Sequence, residues 1–434
     1  MSTWLVPERY LTVDQVRAVE LDMSQNRAIV GGPGSGKTLV LLYRAARLSE
    51  QLGVSPARYR VFVFTRVLRS YIASTARLLG IPDECICTFD SWCREYYLGS
   101  VGRRIPTISS DRSRQPDFER VRREVLAHLQ QKLTLSSLYD FVLVDEAQDL
   151  DATALQILNL IAPHVTVCID QKQQIYEMGS STDTVNSILG IRNPSVSFLG
   201  AYRGCPYVAR VAAEFIDDPV ERNHFLRQTK TVQEGRQVPV LYRARDGYDE
   251  KDRLVRVVKS RLNQGDRIAI LFPSQRHVFG FATGLAEAGI EVETPDTIDF
   301  STQKPKLMPY PSAKGLTVDS VLLPRLVNRG FGHMSETRIT RWLFVGCSRA
   351  SKWVFMSTTE SDSLSALSRL EPLAAEGAIE IQASSGARND DAHNTSGDAP
   401  GLSQPRLLDG QTGRKPATHD AQDDDSYGNL LDLL

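Results

Sequence analysis

The sequence predicts an α/β fold with two successive sets of parallel strands. Short apolar runs alternate with longer stretches of helical periodicity, which is the signature of repeated strand–helix–strand units. The runs fall into two sets separated by a helical stretch over about 207–225. The chain has 434 residues, 41% of them apolar, so it is too long for one ordinary domain and apolar enough for two cores.

The first set comprises the expected strands Arg27–Val30, Arg60–Phe64, Phe141–Val144 and Val165–Ile169. The second comprises Val238–Tyr242, Arg267–Phe272, Ser320–Leu323 and Lys352–Met356. Architecture repeats here but sequence does not, and the boundary falls near residue 200. The expected domains are therefore 1–198 and 199–383. Within the first, residues 100–138 are polar and carry Arg103, Arg104, Arg112, Arg114, Arg120, Arg122 and Arg123. Helical spacing over Asp117–Leu133 marks this segment as a short, Arg-rich helical insertion.

From Ser384 onward, large apolar residues give way to Ser, Gly, Asp, Asn and Pro, so a disordered acidic tail is expected over 384–434. It holds nine aspartates against Arg388, Arg406, Arg414 and Lys415. The net charge of −1 hides this asymmetry: the remaining residues carry 47 basic and 43 acidic side chains. A mildly basic body permits a polyanion partner without establishing one. The Leu-rich end, Tyr427–Leu434, is either a docking motif for a protein partner or an unused end. The six cysteines form no CxxC pair, so reduced thiols are expected and no metal cluster. There is no secretory signal pattern, and no apolar run approaches the roughly 18 residues needed to span a membrane. The expected setting is cytoplasmic, with no membrane contact.

The most specific motif is Gly31-Gly32-Pro33-Gly34-Ser35-Gly36-Lys37-Thr38, which fits GxxxxGK[ST] between an apolar strand and a helical pattern. Glycines let backbone N–H groups turn inward around phosphate oxygens, and the following helix adds its dipole. Lys37 is placed to reach the β- and γ-phosphates, and the Thr38 hydroxyl to bind Mg²⁺. A second motif, Phe141-Val142-Leu143-Val144-Asp145-Glu146-Ala147-Gln148-Asp149, ends a buried strand in two carboxylates. Asp145 is the expected Mg²⁺ ligand and Glu146 the base that activates water. A glutamate directly after the metal-binding aspartate argues for hydrolysis of ATP over mere storage.

With these two motifs in place, the sequence resembles the UvrD/Rep/PcrA branch of the superfamily 1 helicases, in motif order over nearly all of residues 8–360. That family is built from two tandem RecA-like domains of P-loop type. The DEAQD form of the second motif is characteristic of the branch. Leu11-Thr12-Val13-Asp14-Gln15 looks like the Q-motif, which implies that Gln15 reads the adenine edge. Asp170-Gln171-Lys172-Gln173-Gln174-Ile175-Tyr176 looks like DxxQxIY, with Gln173 sensing the γ-phosphate. Leu199-Gly200-Ala201-Tyr202-Arg203 is similar to LxxNYRS, which implies Tyr202 stacked on adenine and Arg203 on the γ-phosphate. Ser312-Ala313-Lys314-Gly315-Leu316 matches SAKGL, with Gly315 at the nucleotide. Val345-Gly346-Cys347-Ser348-Arg349-Ala350 matches VGxTRA, with Arg349 as an arginine finger. For single-stranded or tailed DNA, the resemblance implies contacts from Phe64, Thr65, Thr88, Trp92, Tyr176 and Ser312. Phe64, Phe89, Trp92 and Tyr176 are each either core residues or stacking platforms.

The chain also departs from the family. The first insertion is a remnant and the second is absent, because only about 17 residues separate Thr294 from Ser312. Met178 stands at a stacking position, Asp90 and Pro311 stand where the family has His, and Thr317 where it has Glu. Two readings follow. One is an ATP-driven helicase or translocase moving 3′ to 5′ on single-stranded DNA. The other is a DNA-stimulated ATPase subunit of a repair or anti-phage defence complex, dependent on a partner and unwinding little by itself.

Overall fold

The computed structural model describes residues 6–32, 34–110, 113–132, 137–170, 180–192, 195–198, 203–231, 237–332 and 334–384. The fold is α/β, built on two parallel sheets. The first contains β1 (Arg27–Gly31), β2 (Tyr59–Val63), β3 (Ile86–Thr88), β4 (Phe141–Val144), β5 (Val165–Ile169) and β6 (Val196–Phe198). The second contains β7 (Val240–Ala244), β8 (Ile268–Phe272), β9 (Lys306–Pro309), β10 (Val318–Leu323), β11 (Ala350–Thr359) and β12 (Glu380–Ala383).

The spatial orders are β3-β2-β4-β5-β1-β6 and β9-β8-β10-β11-β7-β12, so each sheet visits its strands in the same sequence. All these pairings are parallel; Ile29 of β1 sits opposite Cys168 of β5, for example. Parallel sheets are covered on both faces, which is why their strands are continuously apolar. Alternate residues serve different cores: Val61, Val63 and Leu143 pack on one face, Phe62, Val142 and Val144 on the other. The first of these clusters runs on into the second sheet's layer through Tyr310, Leu316 and Leu323.

The eight strands expected from the sequence are all present, with ends shifted by up to three residues. Four short strands were not anticipated: β3, β6, β9 and β12. They have three or four residues each and include every edge strand, so their apolar runs are too brief to register as a period. The helical stretch expected at 207–225 is two helices, Pro206–Ala213 and Pro219–Gln228. Pro219 sits in the first turn of the second helix and cannot continue the first.

The insertion has more structure than the expected helix. An antiparallel hairpin pairs Thr107–Ser110 with Ser113–Pro116 ahead of the helix Phe118–Lys132. Polar residues with no apolar alternation gave no strand signal there. The helix buries Val121, Val125 and Leu129, one stripe at four-residue spacing. It is pinned by an ion triad in which Asp90 is buried and Arg122 and Asp151 are partly exposed. Arg122 donates from Nε to Asp90 at 2.9 Å and from Nη1 to Asp151 at 2.6 Å. Asp90, which stands at the family's His position, is 5% exposed and turned into this clamp. Burial pushes the Asp90 carboxyl above its usual range, while Arg122 pulls it down. Arg122→Met leaves the buried Asp90 carboxylate without its cation. A loss of about 3 kcal/mol is expected, the scale for breaking a buried ion pair on one side. Urea unfolding of the variant beside the parent measures it, and a change under about 0.5 kcal/mol, the range of ordinary surface substitutions, would dismiss the clamp.

Among the described residues, no helix is long and apolar enough to cross a membrane. The expected tail disorder falls on residues 385–434, outside the described residues.

Candidate functional site

Three strands of the first sheet end at one place. Gly31 closes β1, Asp145 and Glu146 follow β4, and Asp170 follows β5. Side chains at the carboxyl ends of parallel strands form the usual crevice for ligands in such sheets. The glycine loop turns there. Gly34 and Gly36 have φ of 68° and 83°, left-handed values that side chains resist. At Gly36 a Cβ would lie 2.5 Å from Gln15 Nε2, and at Gly31 one would lie 2.6 Å from Ser35 Oγ. The helix Lys37–Leu52 begins directly after this turn and points its N-terminus at the loop.

Lys37 lies inside the loop and is 6% exposed. Its ammonium donates to Gly31 O at 2.8 Å, Gly32 O at 3.0 Å and Asp170 Oδ2 at 3.2 Å. Burial works against this charge, but Asp170, Glu146 and Asp145 outweigh it and hold Lys37 above its ordinary value. Thr38 donates its hydroxyl to Asp145 Oδ2 at 2.6 Å, so the two expected Mg²⁺ ligands meet. Burial, and then Glu146 beside it, push the Asp145 carboxyl upward.

Glu146 is one of two non-glycine residues with positive φ among the described residues, at 54°. Such a backbone costs of order 1–3 kcal/mol and persists only where neighbours over-determine it. Here they do: Gln148 Nε2 donates to Glu146 Oε2 at 2.6 Å, and Lys314 Nζ lies 3.4 Å from the same oxygen. Burial would raise this carboxyl, but Lys314 and Lys37 overcome it and hold Glu146 below the usual carboxylate range. The result is an ionised, buried carboxylate beside the phosphate loop.

Gln15 has its amide engaged at both ends. Oε1 accepts from Thr12 N at 2.9 Å and Nε2 donates to Ser35 O at 3.0 Å. Thr12 and Gln15 together form a capping box for the helix Val13–Val19, so this residue ties the start of that helix to the glycine loop.

The second sheet contributes from two places. Gly315 has φ of 79°, and its position leaves room for Leu68 only because it lacks a Cβ. Arg349 is 4% exposed; its guanidinium donates to Val345 O at 3.1 Å, Leu316 O at 3.4 Å and Ser348 Oγ at 2.9 Å. It is close enough to help lower the Glu146 carboxyl. Arg203 opens a two-residue pairing with Lys230–Thr231; its side chain is not described. Pro33, Gln173, Tyr176, Met178 and Tyr202 lie outside the described residues.

The residues expected to touch DNA are placed less uniformly. Phe64 is half-buried, with Lys314 Nζ 5.9 Å from its ring centre. Thr65 and Thr88 are buried and cap helices, accepting from Leu68 N at 3.0 Å and Ser91 N at 3.2 Å. Trp92 sits in the core among Phe62, Phe89, Tyr96 and Tyr139, and its indole N–H is given to Tyr139 Oη at 2.7 Å. Ser312 is fully buried. Its Oγ has no hydrogen-bond partner among the described residues.

The residues fit a nucleotide with Mg²⁺. Ser35 Oγ is buried in the loop without a hydrogen-bond partner, the glycine cradle excludes side chains, and the Thr38–Asp145 oxygens are hard donors of the kind Mg²⁺ takes. Sequence reading gave no role to Gln148, Asp149, Asp170 or Lys314, each of which contacts a named site residue or its partner. For Lys314 the signal was the one charged side chain in Ser312–Leu316, and for Asp149 a third carboxylate soon after the Asp145-Glu146 pair.

Residues 15–179 match the family model described as an AAA domain. The chain is 22% identical over 460 residues to a protein of Mycoplasma pneumoniae named "Probable DNA helicase", covering 82% of this chain and 85% of that one. Among solved structures, the C-terminal domain of a possible DNA helicase from Lactobacillus plantarum matches with a TM-score of 0.32 and 17% identity, over 42% of this chain and 98% of that one.

Proposed function

We propose that this chain, a UvrD-like helicase homologue, is an ATP-driven motor that acts on DNA, with one RecA-like domain over 1–198 and a second over 199–383. The observation that carries the reading is the meeting of Lys37, Thr38, Asp145 and Glu146 on the first sheet with Lys314 and Arg349 on the second. A catalytic carboxylate touched from the other sheet's loop makes hydrolysis depend on how the two close together. That dependence is what a two-domain motor needs to turn cleft closure into movement along a strand.

The loop Gly31–Gly36 and Lys37 would hold the phosphates of ATP, and Thr38 with Asp145 the Mg²⁺. Bound Mg²⁺ neutralises charge on the phosphates and ATP supplies the anhydride to be cleaved. Glu146 takes the proton of the attacking water. Gln148 keeps that carboxylate oriented, and Gln15 keeps the loop in register. Gln173, Arg203 and Arg349 are assigned to the γ-phosphate and Tyr202 to the adenine, as the motifs imply. Single-stranded DNA is assigned to Phe64, Tyr176 and Ser312 with the backbone around Thr65 and Thr88, and the motion to the 3′-to-5′ direction. The position of Trp92 supports a structural part in holding that surface.

A second reading, a DNA-stimulated ATPase that relies on a protein partner, is favoured by the place of the missing insertion. There Glu293 accepts from Asp299 N and Thr302 Oγ1, both at 2.6 Å, and pairs with Lys306 at 2.8 Å, which seals a short loop upon itself. This short loop stands where the resembled family carries the subdomain that helps grip duplex DNA. ATP turnover with and without single-stranded DNA, beside strand displacement on a 3′-tailed duplex, tests both. Stimulated turnover with weak displacement is expected. Most binding should come from phosphate contacts and fall steeply with salt. Efficient displacement by the protein alone would favour the plain helicase, and turnover indifferent to DNA would overturn both.

A further inference from the structure

We infer that Asp149 and Lys314 form a positioning pair across the seam of the two sheets, which sets the Glu146 carboxylate for hydrolysis; this rests on the reading of Glu146 as the base. Lys314 belongs to the loop after β9, and Asp149 to the turn after β4. Their side chains are both 0% exposed and 2.5 Å apart. The same ammonium lies 3.4 Å from Glu146 Oε2, so one cation is shared between an anchoring carboxylate and a catalytic one.

The asymmetry of the two distances decides the roles. The closer partner, Asp149, fixes where the ammonium sits. A lysine stem is flexible, and without that anchor the charge would have no defined place. The farther partner, Glu146, sits on a strained backbone and receives its second contact from this ammonium. Phe64 forms part of the wall, with its ring centre 5.9 Å from Lys314 Nζ, and Gly315 lets the loop approach Leu68 closely. Burial opposes the lysine charge, yet Asp149 and Glu146 outweigh it and keep the amine protonated. A buried cation of this kind is poor value as a stabiliser, because its desolvation offsets much of the attraction. Its place beside Glu146 gives it another use. Because Lys314 and Glu146 hang from different sheets, their contact registers the closure of one against the other.

The test uses the full chain and ATP turnover with a poly-dT oligonucleotide. Lys314→Met should lower kcat at least 100-fold while KM for ATP changes less than threefold. Lys314→Arg, which restores a cation, should recover at least tenfold of that loss. In single-turnover cleavage, Lys314→Met added to Glu146→Gln should cause no further slowing, since both act through one carboxylate. Lys314→Met removes the cation that two buried carboxylates share and can fail to fold, so Lys314→Met with Asp149→Asn is made as well. That double variant should melt at a higher temperature than Lys314→Met and still show the kcat loss. A kcat within threefold of the parent in the double variant, or full additivity with Glu146→Gln, overturns the positioning role. A parent that hydrolyses no ATP overturns the reading of Glu146 instead, and the melting comparison still decides whether the pair exists.

Discussion

Arg349→Ala is expected to slow ATP hydrolysis by roughly 10³–10⁵, the range measured for arginine fingers. ADP binding should stay nearly unchanged, because the guanidinium is assigned to charge that develops on the γ-phosphate. Its present contacts explain how it is kept for that use. Val345 O, Leu316 O and Ser348 Oγ hold it on its own sheet's side, and it already lies within electrostatic reach of Glu146. Arg349 is buried, so a melting comparison must accompany the kinetics. Arg349→Lys keeps a charge but loses the planar fork, and should recover little. Hydrolysis within tenfold of the parent for the Ala variant, in a protein of unchanged melting temperature, would remove Arg349 from the mechanism.

Glu146→Gln should bind ATP and cleave it at least about 10²-fold more slowly, the lower end of the contribution of a general base. The amide keeps the shape and can still meet Gln148, but it accepts no proton. Lys37→Ala should differ in kind. It removes the cation held at Gly31, Gly32 and Asp170, so both nucleotide affinity and turnover should fall. A fluorescent ATP analogue separates the two variants: retained by the first, lost by the second. Normal turnover in Glu146→Gln would send the search for the base to the other carboxylates at the end of β5 or after β4.

Much of this site was legible in the sequence because its chemistry is local. A glycine loop between a strand and a helix needs its residues in one order, and so does a strand ending in Asp-Glu. Buried strands of four or five mostly apolar residues flanked by helical periods also declare themselves, which is why β1, β4, β5 and β8 emerged nearly in register. The family's motif order singled out Arg349 and the SAKGL loop, and in the fold Lys314 of that loop lies 3.4 Å from Glu146. What is short or polar escaped: the three- and four-residue strands β3, β6, β9 and β12, and the Thr107–Pro116 hairpin. Their pairing is decided by neighbours far away in the chain, not by any period of their own.

The tertiary structure alone decided which polar residues face inward. In the sequence, Trp92, Thr65 and Thr88 stand among motifs that imply DNA. In the fold, Trp92 gives its N–H to Tyr139 in the core, and the two threonines cap helices. Asp90 reads as a lost contact, yet it holds Arg122 and with it the insertion helix. Lys314 and Asp149 are 165 residues apart and meet inside the seam. The reason is common to all of them. Motif spacing sets what one strand end can offer, whereas a buried charge or indole N–H must find a partner wherever packing brings one, and that partner is set by how the layers stack.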